Sequence, residues 1–240
     1  MPSADIPPAV TRTTVIAGIG PGLGASLARR FAEEGCNVGL LARSADYIEE
    51  LETDLDGSTG GEALAVPTDI SDREAVADAF GVVRETFGPV DVLVNHASAA
   101  SWEGLLNADP DDFSRALAVN VEGAFHCSQE AVADMLDGDG GTIIFTGATT
   151  AVRGREGAVG FSAAKFGARG LAESMARELG PEGIHVAHVV IDGMIRPPDA
   201  EPDEQYLEAD AIAREYWNLV QQDRSAWTLE LDLRPHVEDF

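Results

Sequence analysis

The chain alternates short apolar runs with longer amphipathic stretches along most of its 240 residues. Seven runs have the length and the near-continuous apolar character of buried strands, namely residues 13–19, 37–41, 63–67, 90–95, 142–146, 185–191 and 228–233. Buried strands separated by helices are typical of a parallel sheet that is covered on both faces. The pattern therefore predicts an α/β fold of the doubly wound, Rossmann type, with a seven-stranded parallel sheet and helices on both faces.

The stretches between these runs carry helix signals. Residues 24–34 place apolar side chains at helical spacing and are followed by Gly35, a common residue just after a helix end. Residues 71–74, Ser-Asp-Arg-Glu, have the pattern of a capping box and predict a second helix start. The sequence contains no internal repeat, and its length favours one domain over residues 1–240.

The composition of the chain is strongly acidic. Forty-two Asp and Glu against sixteen Lys and Arg give a formal net charge of −26, and Lys165 is the only lysine. A charge of this size repels polyanions, so nucleic acid and anionic membranes are not expected as partners. Such an excess of acid is typical of proteins from a halophile, whose salt-rich cytosol screens the self-repulsion. An ordinary acidic protein is the alternative.

The two cysteines and the hydropathy of the chain indicate its cellular compartment. Cys36 and Cys127 lie far apart and lack a CxxC spacing, so we expect buried thiols rather than a disulfide. Residues 1–10 lack the basic and apolar stretches of a signal peptide. No apolar run approaches the ~20 residues of a membrane-spanning helix. These features predict a soluble, cytoplasmic protein.

A glycine-rich turn follows the first predicted strand and opens the first predicted helix, and residues 17–24 read Ala-Gly-Ile-Gly-Pro-Gly-Leu-Gly. Glycines let the backbone approach a pyrophosphate closely, and a helix N-terminus offers free N–H groups to it. We therefore expect Gly18, Gly22, Leu23 and Gly24 to bind a dinucleotide. A purely structural turn is the alternative.

Five features resemble, in order along the chain, motifs of the short-chain dehydrogenase/reductase family. They are the spacing of Gly18, Gly22 and Gly24, the pair Asp69-Ile70, the segment Asn95-His96-Ala97-Ser98, the pair Asn120-Val121, and Lys165. The resemblance implies that Asp69, Ile70 and Asn95 lie at the cofactor and that Asn120 belongs to the catalytic set. It implies two roles for Lys165, in catalysis and in binding the nicotinamide ribose.

The residues after the second predicted strand bear on the choice of cofactor. NAD-preferring relatives in the family place an acid there, whereas this chain has Ala42 followed by Arg43. A guanidinium can bind a 2′-phosphate with a charge-assisted fork, so NADP(H) is favoured over NAD(H). Ser44 is expected to cap the next helix and to contact the phosphate. A solvated surface arginine is the alternative.

Two hydroxyl groups of the family's catalytic set are replaced. In the family, a tyrosine four residues before the lysine transfers a proton, and a serine about thirteen residues before that tyrosine binds the substrate oxygen. Phe161 and Ala148 stand at these positions. General acid–base catalysis contributes roughly 10²–10⁴-fold and one oxyanion donor about 10²–10³-fold. The chain therefore resembles a divergent branch in which the usual carbonyl reduction is disfavoured.

Three nearby residues are candidates for the lost groups. Asp192 follows the sixth predicted strand, where desolvation would favour its protonated, proton-donating form; a helix cap or an ion pair with Arg196 is the alternative. Thr149 follows Ala148 and offers a hydroxyl, although threonine is also common at strand ends. Lys165 can direct a water or only bind ribose. The resemblance implies cofactor contact for Arg196.

The histidines do not predict a metal site. His185 and His188 are three apart on one predicted strand, so their side chains point to opposite faces of the sheet. His96 is the one histidine expected beside the cofactor cleft.

Two functions remain open at this stage. The first is an NADP(H)-dependent reductase of a small molecule, acting on a conjugated C=C bond or a carbonyl, with a substrate lid at residues 196–215. The second is an NADP(H)-binding pseudoenzyme that serves as a sensor or scaffold subunit. The resemblance implies a homodimer or homotetramer, and residues 227–240 fit either an interface strand or the core.

Overall fold

The computed structural model describes residues 11–56 and 60–238, so the expectations for residues 1–10 lie outside its described part. The strands are β1 (Thr13–Ala17), β2 (Asn37–Ala42), β3 (Ala63–Pro67), β4 (Val92–Asn95), β5 (Gly141–Thr146), β6 (Ile184–Ile191), β7 (Met194–Ile195), β8 (Tyr206–Leu207) and β9 (Glu230–Leu233). The α-helices are α1 (Leu23–Glu33), α2 (Ala45–Asp56), α3 (Arg73–Phe87), α4 (Pro110–Leu117), α5 (Ala124–Asp137), α6 (Val159–Leu179) and α7 (Ala209–Val220). One π-helical turn joins α4 to α5 and spans Ala118–Gly123.

Seven strands form one parallel sheet in the order β3-β2-β1-β4-β5-β6-β9. The direction in which the chain crosses the sheet reverses between β1 and β4, and ligands of open α/β sheets bind at such a switch point, outside the carboxyl ends of the strands. The predicted fold class is confirmed. Strands β1, β4 and β9 are shorter than predicted; β1 ends at Ala17 because Gly18 turns the chain with φ +111°.

Two apolar clusters cover the two faces of the sheet. Helices α1, α2 and α7 contribute to one cluster, and α3, α5 and α6 contribute to the other. Along β1, Ile16 belongs to the first cluster and its neighbours Val15 and Ala17 belong to the second. Strands buried on both faces explain the near-continuous apolar runs of the sequence.

The start of α3 differs from the predicted capping box. Asp72, not Ser71, is the cap, because its carboxylate accepts hydrogen bonds from the backbone N–H groups of Glu74 and Ala75. Ser71 instead donates its hydroxyl to Asp69. An ionised carboxylate is the stronger acceptor beside the positive end of a helix.

The segment expected to form a lid divides into two parts. Residues 196–208 are largely exposed, and β8 within this region pairs in parallel with β7, which directly precedes it. From Ala209 onward the chain is helical, and Ile212 and Ala213 are buried where α7 packs against α1. The exposed connection therefore ends at residue 208 and not at 215. In the described part of the chain, no helix combines the length and the apolar character needed to cross a membrane.

Candidate active site

The glycine-rich turn brings the end of β1 against the N-terminus of α1. A Cβ on Gly18 would lie 2.3 Å from the backbone nitrogen of Ala97, and one on Gly24 would lie 2.7 Å from the Gly18 carbonyl oxygen. At Gly22, no described atom beyond the chain neighbours lies within 4 Å of the corresponding point. The side chain of the next residue, Leu23, is buried, so only its backbone can contact a ligand at this point. Gly22 therefore faces open space at a helix N-terminus, where an anion fits.

Arg43 and Ser44 follow β2 at the same edge of the sheet, and both are exposed. Two hydrogen bonds from Ser71 lower the pKa of Asp69, and the nearby charges of Arg43 and Arg115 lower it further. Within residues 11–56 and 60–238, the Arg43 guanidinium has no hydrogen-bond or ion-pair partner. It is thus a cation near Asp69 that a ligand can engage.

Four predicted site residues face one small cavity at the base of the cleft, namely Ile70, Asn95, Asn120 and Lys165. Asn95 is buried at the end of β4, and its amide N–H donates to the Ser128 hydroxyl at 3.1 Å. Its Oδ1 has no hydrogen-bond partner among the described residues. The fold therefore gathers side chains that lie almost one hundred positions apart in the sequence.

Asn120 lies within the π-helical turn. Its amide nitrogen donates to the backbone carbonyls of Ala99 and Ala116, both at 2.9 Å, and its Oδ1 accepts from the Ser98 hydroxyl at 3.0 Å. π-Helical turns are rare in proteins, and those that occur often lie at functional sites. These three bonds hold the loop after β4 against the helix that carries Asn120.

Lys165 is buried on α6, with a side chain that is 4% exposed. Its Nζ donates to the backbone carbonyl of Thr146 at 3.0 Å and lies 5.6 Å from the centroid of the Phe161 ring. Removal from water lowers the pKa of the ammonium to about 8. Because Lys165 also faces the main cleft, its remaining N–H groups are available to a ligand.

Thr146 links Lys165 to two further side chains. Its Oγ1 lies 3.1 Å from His96 Nδ1 and 2.9 Å from the hydroxyl of Tyr216. Burial and the charge of Lys165 lower the pKa of His96 to about 4, so its imidazole is neutral at pH 7. Burial raises the pKa of Tyr216, which lies in the core on α7. The Tyr216 phenol is therefore part of the core and does not line the main cleft.

The main cleft has a volume of about 1730 Å³ and is faced by Ala148, Phe161 and Lys165. Phe161 packs against Trp102, with ring centroids 5.0 Å apart, and the Arg155 guanidinium lies 5.5 Å from the Trp102 ring. The position that would carry a phenol is thus part of an aromatic wall. Neither the Phe161 nor the Ala148 side chain can donate a hydrogen bond to a substrate oxygen.

Asp192 lies at the end of β6 with 2% of its side chain exposed. Its carboxylate accepts from Arg153 Nη2, 2.9 Å from each oxygen, and from the Thr149 hydroxyl at 2.8 Å, while Arg234 Nη2 lies 3.5 Å away. The Asp192 carboxylate is thus engaged by one hydroxyl and lies close to two guanidinium groups, and its expected proton-donating role stays a prediction. The alternative ion pair with Arg196 is not formed.

Arg196 is engaged within residues 196–208. Its Nε lies 2.8 Å from Glu208 Oε1, and its Nη1 donates to the carbonyl of Ala200. These bonds close the ends of the exposed connection on each other. Arg196 thus joins the two ends of this segment, and its expected contact with the cofactor stays a prediction.

His185 and His188 are both buried and hold the last strands together. His185 Nε2 lies 2.8 Å from the carbonyl oxygen of Thr228, and His188 Nδ1 lies 3.2 Å from Glu230 Oε2. Among residues 11–56 and 60–238, no group of three or more His, Cys, Asp or Glu side chains is arranged to hold a metal ion.

Trp102 and Arg153 both face the cleft. The sequence places them in two loops expected to line the substrate pocket, residues 100–105 and 149–155, but it does not fix the directions of their side chains. Those directions depend on contacts with distant residues, namely Phe161 for Trp102 and Asp192 for Arg153.

Comparison with known proteins gives consistent matches along the chain. A family model described as short chain dehydrogenase matches residues 12–204. A 3alpha-hydroxysteroid dehydrogenase of Mediterraneibacter gnavus is 30% identical over 190 residues, which cover 77% of this chain and 74% of that protein. A 3-oxoacyl-[acyl-carrier-protein] reductase of Staphylococcus aureus is 30% identical over 210 residues, which cover 85% of each.

Solved structures superpose closely. An alcohol dehydrogenase from the archaeon Thermococcus sibiricus, complexed with 5-hydroxy-NADP, has a TM-score of 0.88 at 25% identity and covers 95% of this chain and 98% of that chain. A 3-ketoacyl-(acyl-carrier-protein) reductase from Brucella melitensis, complexed with NADH, has a TM-score of 0.85 at 26% identity and covers 95% and 99%.

Proposed function

Because the chain belongs to the short-chain dehydrogenase family, in which NAD(P)-dependent oxidoreduction is general, we propose that it reduces a conjugated C=C bond or a carbonyl of a small molecule with NADP(H). The observation that carries the proposal is the open space before Gly22 at the N-terminus of α1. It lies on the same sheet edge as Arg43 and Lys165, which offer N–H donors.

The residues present fit a dinucleotide. The N–H groups at the start of α1 bind the pyrophosphate, and Arg43 with Ser44 binds a 2′-phosphate. Asp69 and Ile70 border the adenine end, and Lys165 binds the nicotinamide ribose hydroxyls. When bound, the cofactor supplies a hydride to the substrate.

The atypical residues bear on which bond is reduced. A ketone needs a proton on its oxygen as hydride arrives, and Phe161 and Ala148 cannot provide or orient one. A conjugated C=C bond is less demanding, because the resulting enolate can take its proton from water afterwards. We therefore favour a conjugated substrate, packed against the aromatic wall of Phe161 and Trp102.

The proposal also covers the oligomeric state of the protein and its cellular environment. Phe125 and Leu136 on α5 and Phe166 on α6 are large apolar side chains with 42 to 50% exposure, and a homodimer or homotetramer built on these helices would cover them. The net charge of −26 supports a salt-rich cytoplasm as the working environment.

Titration of the purified protein with NADPH and NADH in roughly molar KCl tests the cofactor step. At one hundred times Kd, a cofactor should stabilise the protein by about 2.7 kcal/mol. We expect NADPH to bind more tightly than NADH and to be consumed with a cyclic enone faster than with the saturated ketone. Failure of both cofactors to bind would overturn the proposal.

A pseudoenzyme is favoured by one specific observation. Both catalytic hydroxyls are absent, and the Thr149 hydroxyl that could replace one of them donates to Asp192. Tight binding of NADPH with no turnover across conjugated aldehydes, ketones and thioesters would support a sensor or scaffold subunit instead.

A further inference from the structure

Arg153 lies on the turn that follows β5, close in sequence to the alanine at the position of the missing serine. Its backbone N–H donates to the carbonyl of Thr149 at 2.9 Å, which closes the turn and directs the side chain into the cleft. Arg153 and Ala148 thus line the same cleft, and the guanidinium is a cation that a substrate oxygen can meet there.

The guanidinium of Arg153 is held by a buried carboxylate. Nη2 lies 2.9 Å from both oxygens of Asp192, whose side chain is 2% exposed, while the Arg153 side chain is 49% exposed. In the described part of the chain, Nε and Nη1 of Arg153 have no partner. Nη2 of the planar guanidinium is thus held in place, and the N–H groups of Nε and Nη1 can donate to a ligand.

Three other donors in this part of the cleft are already engaged. The Thr149 hydroxyl donates to Asp192, and His96 Nδ1 contacts Thr146. The Lys165 ammonium has one bond to Thr146 and is assigned to the cofactor ribose under the proposed function.

We propose that Arg153, oriented by Asp192, binds the carbonyl oxygen of the substrate and stabilises the negative charge that develops on it. The inference rests on the proposed function and names the group that compensates for Phe161 and Ala148. When hydride reaches the β carbon of a conjugated carbonyl compound, the C=C electron pair shifts and leaves the charge on oxygen. Arg153 keeps its proton and acts through hydrogen bonds, and water supplies the proton to the α carbon.

The charges around the cleft indicate the class of substrate. Among the described residues that face it, the three cations Arg153, Arg155 and Lys165 are matched by three carboxylates, those of Asp203, Glu204 and Glu238. A lining with equal numbers of positive and negative side chains has no net charge with which to attract an ionic ligand. A neutral conjugated aldehyde or ketone suits it and becomes negative only in the transition state, beside Arg153.

A coloured phenol, 4-nitrophenol, tests the binding of an oxyanion directly. Its phenolate is a flat, conjugated oxyanion like an enolate, and its absorbance reports ionisation. With NADP⁺ present, the bound phenol should ionise at lower pH in the wild-type protein than in water. Arg153→Gln should abolish that shift, Arg153→Lys should keep part of it, and Arg177→Gln, on the exposed end of α6, should leave it unchanged.

Turnover of cinnamaldehyde with NADPH provides the second readout. Arg153→Gln should lower kcat by about 10²–10³-fold, the effect of removing one oxyanion donor, while the Kd for NADPH stays unchanged. Thermal unfolding of each variant identifies a folding defect, and in that case Arg153→Lys carries the test. Normal NADPH binding with an unshifted or unbound phenol overturns this inference alone, whereas loss of NADPH binding by the wild-type protein overturns the proposed function.

Discussion

The Nζ of Lys165 lies 3.0 Å from the backbone carbonyl oxygen of Thr146 and donates a hydrogen bond to it. This bond joins α6, which carries Phe161, to the end of β5, two residues before Ala148. The lysine therefore keeps a defined orientation without a phenol beside it. The position of the ammonium is set by a backbone carbonyl of the neighbouring strand, and this carbonyl remains when a side chain is replaced.

Lys165→Met should remove a pH dependence of stability. The pKa of Lys165 is lowered to about 8 in the folded chain from an ordinary value of 10.5, so the unfolded chain binds more protons between these values. The cost of the buried charge is present in full below pH 8 and is relieved as pH rises to 10.5. This group should therefore raise the free energy of unfolding by ~3 kcal/mol across that window.

Urea unfolding of wild type and Lys165→Met at several pH values measures the difference. Arg177→Met, on the exposed end of the same helix, is the matched control and should show the wild-type rise. An equal rise in Lys165→Met would contradict the lowered pKa.

Restoring both hydroxyls should restore ordinary carbonyl chemistry. Phe161→Tyr with Ala148→Ser places a phenol beside Lys165 and a hydroxyl beside the substrate oxygen, so reduction of simple ketones should rise by at least about 10²-fold. Phe166→Tyr adds a phenol to a 42% exposed position of the same helix and should give no gain. No gain from the double variant would mean that the pocket itself no longer fits a ketone.

Substitutions of two glycines in the turn should differ in their effects on stability and on cofactor binding. Gly22→Ala meets open space, so it should destabilise the fold less than Gly18→Ala does and yet weaken NADPH binding. Gly18→Ala should destabilise the fold by ~1–3 kcal/mol, because φ is +111° and its Cβ would overlap Ala97. Thermal unfolding and NADPH titration of both variants check this; equal effects of the two would argue against a pyrophosphate before Gly22.

Arg43→Ala should change the choice of cofactor. A lost charge-assisted bond to a 2′-phosphate is worth about 1.5–3 kcal/mol, so the Kd for NADPH should rise roughly 10- to 100-fold while that for NADH stays constant. Stability should not change, because the side chain is exposed. The control is Arg177→Ala, and a parallel loss of NADH affinity would contradict a phosphate contact.

Salt should stabilise the folded chain. With a net charge of −26, self-repulsion is strong at low ionic strength, and raising KCl from ~0.1 M to ~1 M shortens the Debye length from about 10 Å to about 3 Å. The Tm should rise steadily with KCl and much less with sucrose of equal osmolality. A Tm that is insensitive to KCl would indicate an ordinary acidic protein.

The sequence by itself determined the architecture and the glycine-rich turn between β1 and α1. Strands buried on both faces must be apolar along their whole length, and close backbone approach at Gly18 and Gly24 admits only glycine. Both requirements act on residues that are near in sequence, so they leave a readable pattern. The same holds for Lys165 and Phe161, which share one helix face and therefore keep a fixed spacing.

The tertiary structure alone decided what the polar side chains do. The carboxylate of Asp192 is paired with Arg153, thirty-nine positions away, a contact that the sequence did not indicate. The box at residues 71–74 is capped by Asp72, and Tyr216 contacts Thr146 across seventy positions. A hydrogen bond depends on distance and direction to within a few tenths of an ångström, and between residues far apart in the chain these are set only when the sheet and its helices have packed.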